Sequence, residues 1–232
     1  MNANQTLKME LLKIFGNQIE TTKSIDLCRE AYAFLTEDTG NEKPAPGEVI
    51  TNAPAAVDLG LPSGRLWADR NIGADAPEDC GLYFSWGNTE GIEFGKYCDF
   101  SEDAYKRTEG AELDGDLDGE HDAARVNLGE PWRMPSAEDF RELCDCTTQT
   151  METVNGYRGM RFTSKKNGAS VFFPCSGYGN GASWSNRGSL GSYWSSSFYS
   201  ARYARNLYFN SGGVDPQDNN NRYIGRAVRP VQ

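Results

Sequence analysis

From Val57 onward the chain is written in short segments, each closed by glycine, proline, asparagine or aspartate. Turn residues at that density deny the backbone long helices and favour short strands joined by tight turns. The overall composition agrees: 25 glycines and 12% aromatic residues point to β-leaning, turn-rich structure with aromatic packing. The run Val57-Asp-Leu-Gly-Leu-Pro-Ser-Gly-Arg-Leu-Trp67 reads as strand, turn, strand. Residues 160–164 and 170–174 flank Asn167-Gly168, a hairpin signal because both residues tolerate positive φ. Residues 207–210 and 223–228 read as the last strands. One helix is expected in this half. Ser136 and Asp139 make a capping-box pattern, and Phe140, Leu143 and Cys144 continue one apolar face.

The part before Val57 has another texture. Residues 1 to about 38 read as two helices, the first with a stripe at Leu7, Leu11, Ile14 and Phe15, the second with Ile25, Cys28, Ala31, Phe34 and Leu35. Helices this short need a partner. A docked appendage and a module for attachment or self-association both fit. Pro44, Pro46 and Pro54 mark an extended linker. The domain plan is therefore a helical segment at 1–40, a linker at 41–56 and one domain at 57–232.

Charge and hydropathy exclude some functions. A net charge of −10 argues against general nucleic-acid binding, which wants a basic face. No apolar run approaches the roughly 18 residues of a membrane span. The start lacks the charged and apolar regions of a secretory signal, so cytoplasmic synthesis is expected. The six cysteines lie at 28, 80, 98, 144, 146 and 175, with no C-x-x-C pair. They read as reduced, mostly buried thiols rather than a disulfide frame.

Residues 177–232 differ from everything before them. They contain no Lys, Glu, His or Met; their charges are six Arg (187, 202, 205, 222, 226, 229) and two Asp (215, 218). Six Tyr (178, 193, 199, 203, 208, 223) sit among many Ser, Gly and Asn. This is the vocabulary of antibody paratopes. Tyr gives large contact area with few rotors to freeze, and Ser, Gly and Asn adapt their hydrogen bonding. Arg and Tyr also dominate hot spots.

At this point the chain resembles a known family. Val57–Trp67, Asn71-Ile-Gly-Ala74, Tyr83-Phe-Ser-Trp-Gly87, Trp132-Arg-Met-Pro-Ser136, Asn155-Gly-Tyr157, Phe172-Phe-Pro174, Tyr193-Trp-Ser-Ser196 and Ala227-Val-Arg-Pro-Val231 are similar, in order, to bacterial and phage C-type-lectin-fold domains of the major paralogous domain type. The resemblance runs from about residue 57 to the end. It implies an α+β, C-type-lectin-like domain behind a short helical N-terminal segment. Within this family are the hypervariable proteins of diversity-generating retroelements. There a reverse transcriptase copies a template repeat with errors at adenines, and the copy replaces the 3′ end of the gene. Asn codons are the usual targets; changes at their adenines reach Tyr, Ser, Asp, Arg, Ile, Phe and Gly but not Lys, Glu, Gln, Met or Trp. Residues 177–226 fit that filter, with Trp184, Trp194, Gln217 and Gln232 as unvaried scaffold. The resemblance implies varied, ligand-binding positions at Asn180, Ser183, Ser185, Arg187, Phe198, Tyr199, Ser200, Arg202, Tyr203, Tyr208, Asp215, Asp218, Tyr223, Ile224 and Arg226, on one exposed face. Tyr223 also fits a scaffold role.

The function implied is receptor recognition, on a phage tail (virion) or at a cell surface. Its partner would be a protein or glycan on another cell surface, with homo-oligomer or tail assembly through residues 1–40. A non-diversified adhesive or structural paralogue is the alternative. No cofactor, nucleic acid or membrane span is expected. Two rival chemistries are weaker. Asp114, Asp116, Asp118 and Asp122 sit at EF-hand-like spacing with Gly119, but Arg125 stands where a bidentate Glu is needed. That stretch reads as a solvated acidic insertion. An enzyme would need a nucleophile or paired cysteines, whereas Cys175 lies in an apolar run and His121 is the sole histidine.

Overall fold

A computed structural model describes residues 53–232 of the chain. The helices expected within 1–40 and the linker up to residue 52 lie outside the described residues. In chain order the strands are β1 (Ala56–Asp58), β2 (Leu66–Ala68), β3 (Leu82–Phe84), β4 (Ile92–Glu93), β5 (Thr147–Val154), β6 (Tyr157–Ser164), β7 (Ser170–Pro174), β8 (Tyr178–Asn180), β9 (Ser183–Ser185), β10 (Gly191–Phe198), β11 (Tyr203–Asn210), β12 (Gly213–Asn221) and β13 (Arg226–Ala227). They form a six-stranded sheet in the order β12-β11-β10-β13-β3-β4, a three-stranded sheet β5-β6-β7, and the pairs β1-β2 and β8-β9. All pairings are antiparallel except β10 with β13.

Among the described residues, helix is limited to α1 (Glu102–Tyr105), α2 (Ala123–Leu128) and α3 (Ala137–Cys146), with two short 3₁₀ turns. The domain is β-rich and built of several sheets, which corrects the α+β, C-type-lectin-like class expected from the resemblance. The physical reason lies in helix starts that have no continuation. Ser101 caps α1 by accepting from the Ala104 amide, and Asp122 caps α2 by accepting from the Ala124 and Arg125 amides. Yet α2 stops at Gly129, which takes a φ of 76°. Only after Ser136 do buried residues (Ala137, Phe140, Leu143) recur at helical spacing, and Thr147 then hands the chain to β5.

Three local readings hold as expected. The capping box forms in both directions between Ser136 and Asp139. β6 and β7 pair across the Asn167-Gly168 turn, where Gly168 has a φ of 75°. Val57 pairs with Trp67 across the first turn. The expected strand at 223–228 is reduced to the two residues of β13.

The six-stranded sheet separates two cores. Along β11 the side chains alternate between faces. Leu207 and Phe209 join Tyr193, Phe140, Phe162 and Phe173 in one cluster. Ala204 joins Trp194, Trp86, Ile224 and Val228 in the other. Arg229 is fully buried between elements and satisfied there. It donates to Asn71 Oδ1, the carbonyls of Ala68 and Asp69, and the Phe172 carbonyl. No helix among the described residues is long and apolar enough to cross a membrane.

Candidate ligand-binding surface

The second face of the sheet carries Asn206 and Tyr208 of β11. Their partners on β12 are Asp218 and Asp215, respectively. Two steps along β11 thus face three steps along β12. The extra residue is a bulge, and it aims both aspartates to the side that Tyr208 occupies. Asp218 Oδ2 accepts from Asn206 Nδ2 at 3.1 Å, which fixes its carboxylate.

The β8-β9 pair approaches this face through an isolated bridge between Gly179 and Gly225. Both glycines are required there, because a Cβ on either would meet the Phe100 ring at about 2.4 Å or less. Between the pair and the sheet lies a concavity of about 360 Å³. It collects Asn180, Tyr208, Asp218 and Tyr223 from four separate stretches of chain, with Ile224 and Arg226 at its base. Towards the rim of the sheet it meets a shallow depression of about 640 Å³ at Tyr208, Asp215 and Asp218. On the other side, Asn221 and Tyr223 border a groove of about 190 Å³ that reaches Arg202.

Ile224 and Arg226 were expected on an exposed face, and the structure buries both, at 4% and 3% exposure. Ile224 belongs to the core around Trp194 because the chain turns inward after Asn221 to reach β13. Arg226 stacks over Trp194, 4.8 Å from the ring centroid, with Tyr178 at 5.9 Å. Its Nε is buried and has no hydrogen-bond partner. Burial pulls the guanidinium down to about 10, against the opposing pull of Asp218, Tyr178 and Tyr208, so it stays charged at neutral pH.

The remaining expected positions fall into two further groups. Tyr199, Ser200, Arg202 and Tyr203 make the turn between β10 and β11, closed by paired Ser200 and Tyr203 backbone bonds. Tyr199 is 48% exposed, with Arg205 stacked 4.3 Å from its ring. By strand alternation Tyr203 lies on the sheet face opposite Tyr208. Phe198 is half-buried against Trp86 and Arg222, so it supports the turn. Ser183 and Ser185 lie on β9, and exposed Arg187 covers the Phe94 ring at 4.3 Å. The expected single face is thus three neighbouring patches; the first holds the larger hollows, and the second borders the groove at Arg202.

Tyr178, Asn186, Asn220 and Asn221 also line the concavity, and sequence reading missed them. Positions that still read Asn look like unvaried template, so the run at 219–221 carried no signal of its own. The register with β11 is what brings it to the site.

The acidic stretch at 114–122 has structural work. Asp122 accepts from the Ala124, Arg125 and Met134 amides, and Asp116 accepts from the Phe198 amide. Burial pushes the Cys175 thiol up to about 11 and Cys144 to about 12, so both stay protonated and unreactive at neutral pH.

Residues 127–231 match the model of a family described as "Domain of unknown function (DUF8237)". That match holds α3, the six-stranded sheet's β10–β13 and the whole concavity, and it leaves β1–β4 outside. No curated protein and no solved structure matches the chain.

Proposed function

We propose that this chain is a receptor-recognition protein whose ligand surface, within residues 177–226, is diversified by a retroelement. Residues 1–40 then serve attachment to a phage tail, to a cell-surface assembly or to further copies, behind the 41–56 linker. What supports this reading is the convergence around the concavity. Asn180 of β8 meets Tyr208 of β11, Asp215 and Asp218 of β12 and Tyr223 beyond it along two adjoining polar depressions. Residues chosen only for a packed core have no reason to gather Tyr, Asn and Asp at a solvent-filled hollow.

Sequencing the gene from many isolates is the test. Substitutions should concentrate at these positions and trace to adenines of a nearby template repeat, with Trp194 and Gln217 unchanged. Substitutions spread evenly over 57–232 would leave an undiversified adhesive paralogue. Binding is tested separately with fluorescently labelled protein on panels of bacterial cells. Selective labelling should be lost in the Tyr199→Ala/Arg202→Ala double variant, and labelling unaffected by it would overturn a role for that patch.

A further inference from the structure

The guanidinium of Arg226 sets the chemistry of the concavity. It is held under the hollow by the Trp194 ring, and no side-chain or carbonyl oxygen among the described residues satisfies its Nε. Burying a charge without a hydrogen-bonding counterpart is costly, and natural cores pair such groups. Arg222 and Arg229 follow that rule. Arg222 donates to Tyr105 Oη and to the Ala201 and Gly110 carbonyls. Arg226 is the exception at its Nε, and it lines the larger hollow of about 360 Å³, whereas the satisfied Arg222 lines the groove of about 190 Å³. Asn221 Oδ1, at the same hollow, is also buried without a partner.

We propose that the concavity is a subsite for an acidic sugar residue, a uronic or sialic acid, whose carboxylate is taken by Arg226 while Asn221, Asn220 and Asp218 take its hydroxyls. The inference rests on the recognition reading above and deepens it. A guanidinium is the side chain best matched to a carboxylate, through charge-assisted bonds. The rest of the lining favours a hydroxylated ring over a peptide. Leu190 and Ile224 are the only aliphatic side chains in it, whereas amides, phenols, a carboxylate and the Arg226 guanidinium make up the remainder. A volume of about 360 Å³ lies in the range of small-ligand pockets, roughly 300–1,000 Å³. Asp218 stands against a second anion there and keeps affinity for the carboxylate modest.

Calorimetric titration of the full chain with methyl glucuronide, N-acetylneuraminic acid, methyl glucoside and an acetylated dipeptide with a free C-terminal carboxylate tests this. At least one acidic sugar should bind saturably, with the glucoside and the dipeptide weaker by about ten-fold or more. Arg226→Met should abolish that binding. Asp218→Asn should strengthen it by about three-fold or more, since removing a neighbouring anion favours a bound carboxylate. A glucoside bound as tightly as the acidic sugars, a dipeptide bound as tightly, no binding at all, or an Asp218→Asn variant with unchanged affinity would each overturn the proposal. If the sugars fail while cell labelling persists and still depends on Tyr199 and Arg202, the acidic-sugar subsite falls and the recognition reading stands.

Discussion

Arg226 and Arg229 lie three residues apart, and both are pulled down to about 10 by burial. Their energetics differ all the same. Arg229 satisfies four oxygen acceptors, so Arg229→Met strands buried carbonyls and should cost about 3–5 kcal/mol in a urea melt. Arg226→Met strands no hydrogen-bond acceptor and replaces a buried guanidinium whose Nε has no hydrogen-bond partner with an apolar chain. It should leave stability within about 1 kcal/mol of the parent or raise it. Equal losses in the two variants would show that Arg226 is structural. The same contrast separates Tyr199 from Trp194. Tyr199→Ala should cost under about 1 kcal/mol, and Trp194→Ala, at 0% exposure, about 3–5 kcal/mol. At this scale the sequence was only partly legible. The Tyr, Asn and Arg vocabulary marked the stretch that lines the concavity. It could not separate a surface arginine such as Arg202 from the buried trio at 222, 226 and 229, because burial is set by which strand crosses above.

Among the elements, α3 was the most legible because its code is local. Ser136 and Asp139 cap each other within one turn, and Ser136→Ala should cost about 1 kcal/mol by thermal melting. Asp139 carries a second duty. Its burial would raise the carboxyl, but the Ser136 amide and the Arg133 guanidinium outweigh that and hold it below the ordinary range. Arg65 adds a further ion pair at 3.2 Å. A depressed native pKa means stability that is fully present above the unfolded-state value near 4 and is lost as pH falls through the native one. Asp139→Asn should therefore flatten the acid side of the stability profile, as followed by urea melts between neutral pH and pH 3. An unchanged acid slope would refute that role. The β6-β7 hairpin was legible for the same local reason, through its Asn167-Gly168 turn. Longer-range features were not. The bulge that turns Asp215 and Asp218 to one side depends on the register of β12 against β11, and no turn residue announces it.

For the whole molecule, the resemblance carried an expectation of class that the arrangement of sheets overturned. The capped starts of α1 and α2 are not continued: α1 gives way to a 3₁₀ turn and α2 stops at Gly129. The sheet order itself has a consequence for what the molecule can become. β12 is an outermost strand, so one row of its amides and carbonyls faces away from β11. Such a margin invites pairing with another chain. Pro216, which has no amide hydrogen, and the bulge beside it interrupt the row, while Asp215 and Asp218 add repulsion between copies. The strand that lines the concavity is thus also the one that must refuse its own kind. Replacing Asp215 and Pro216 together by Val should produce aggregates that grow with protein concentration in light scattering, with near-parental stability at high dilution. If the doubly substituted protein stays monodisperse, the margin is protected by other means. If it aggregates, the changes that these two positions accept are bounded by solubility before they are bounded by affinity.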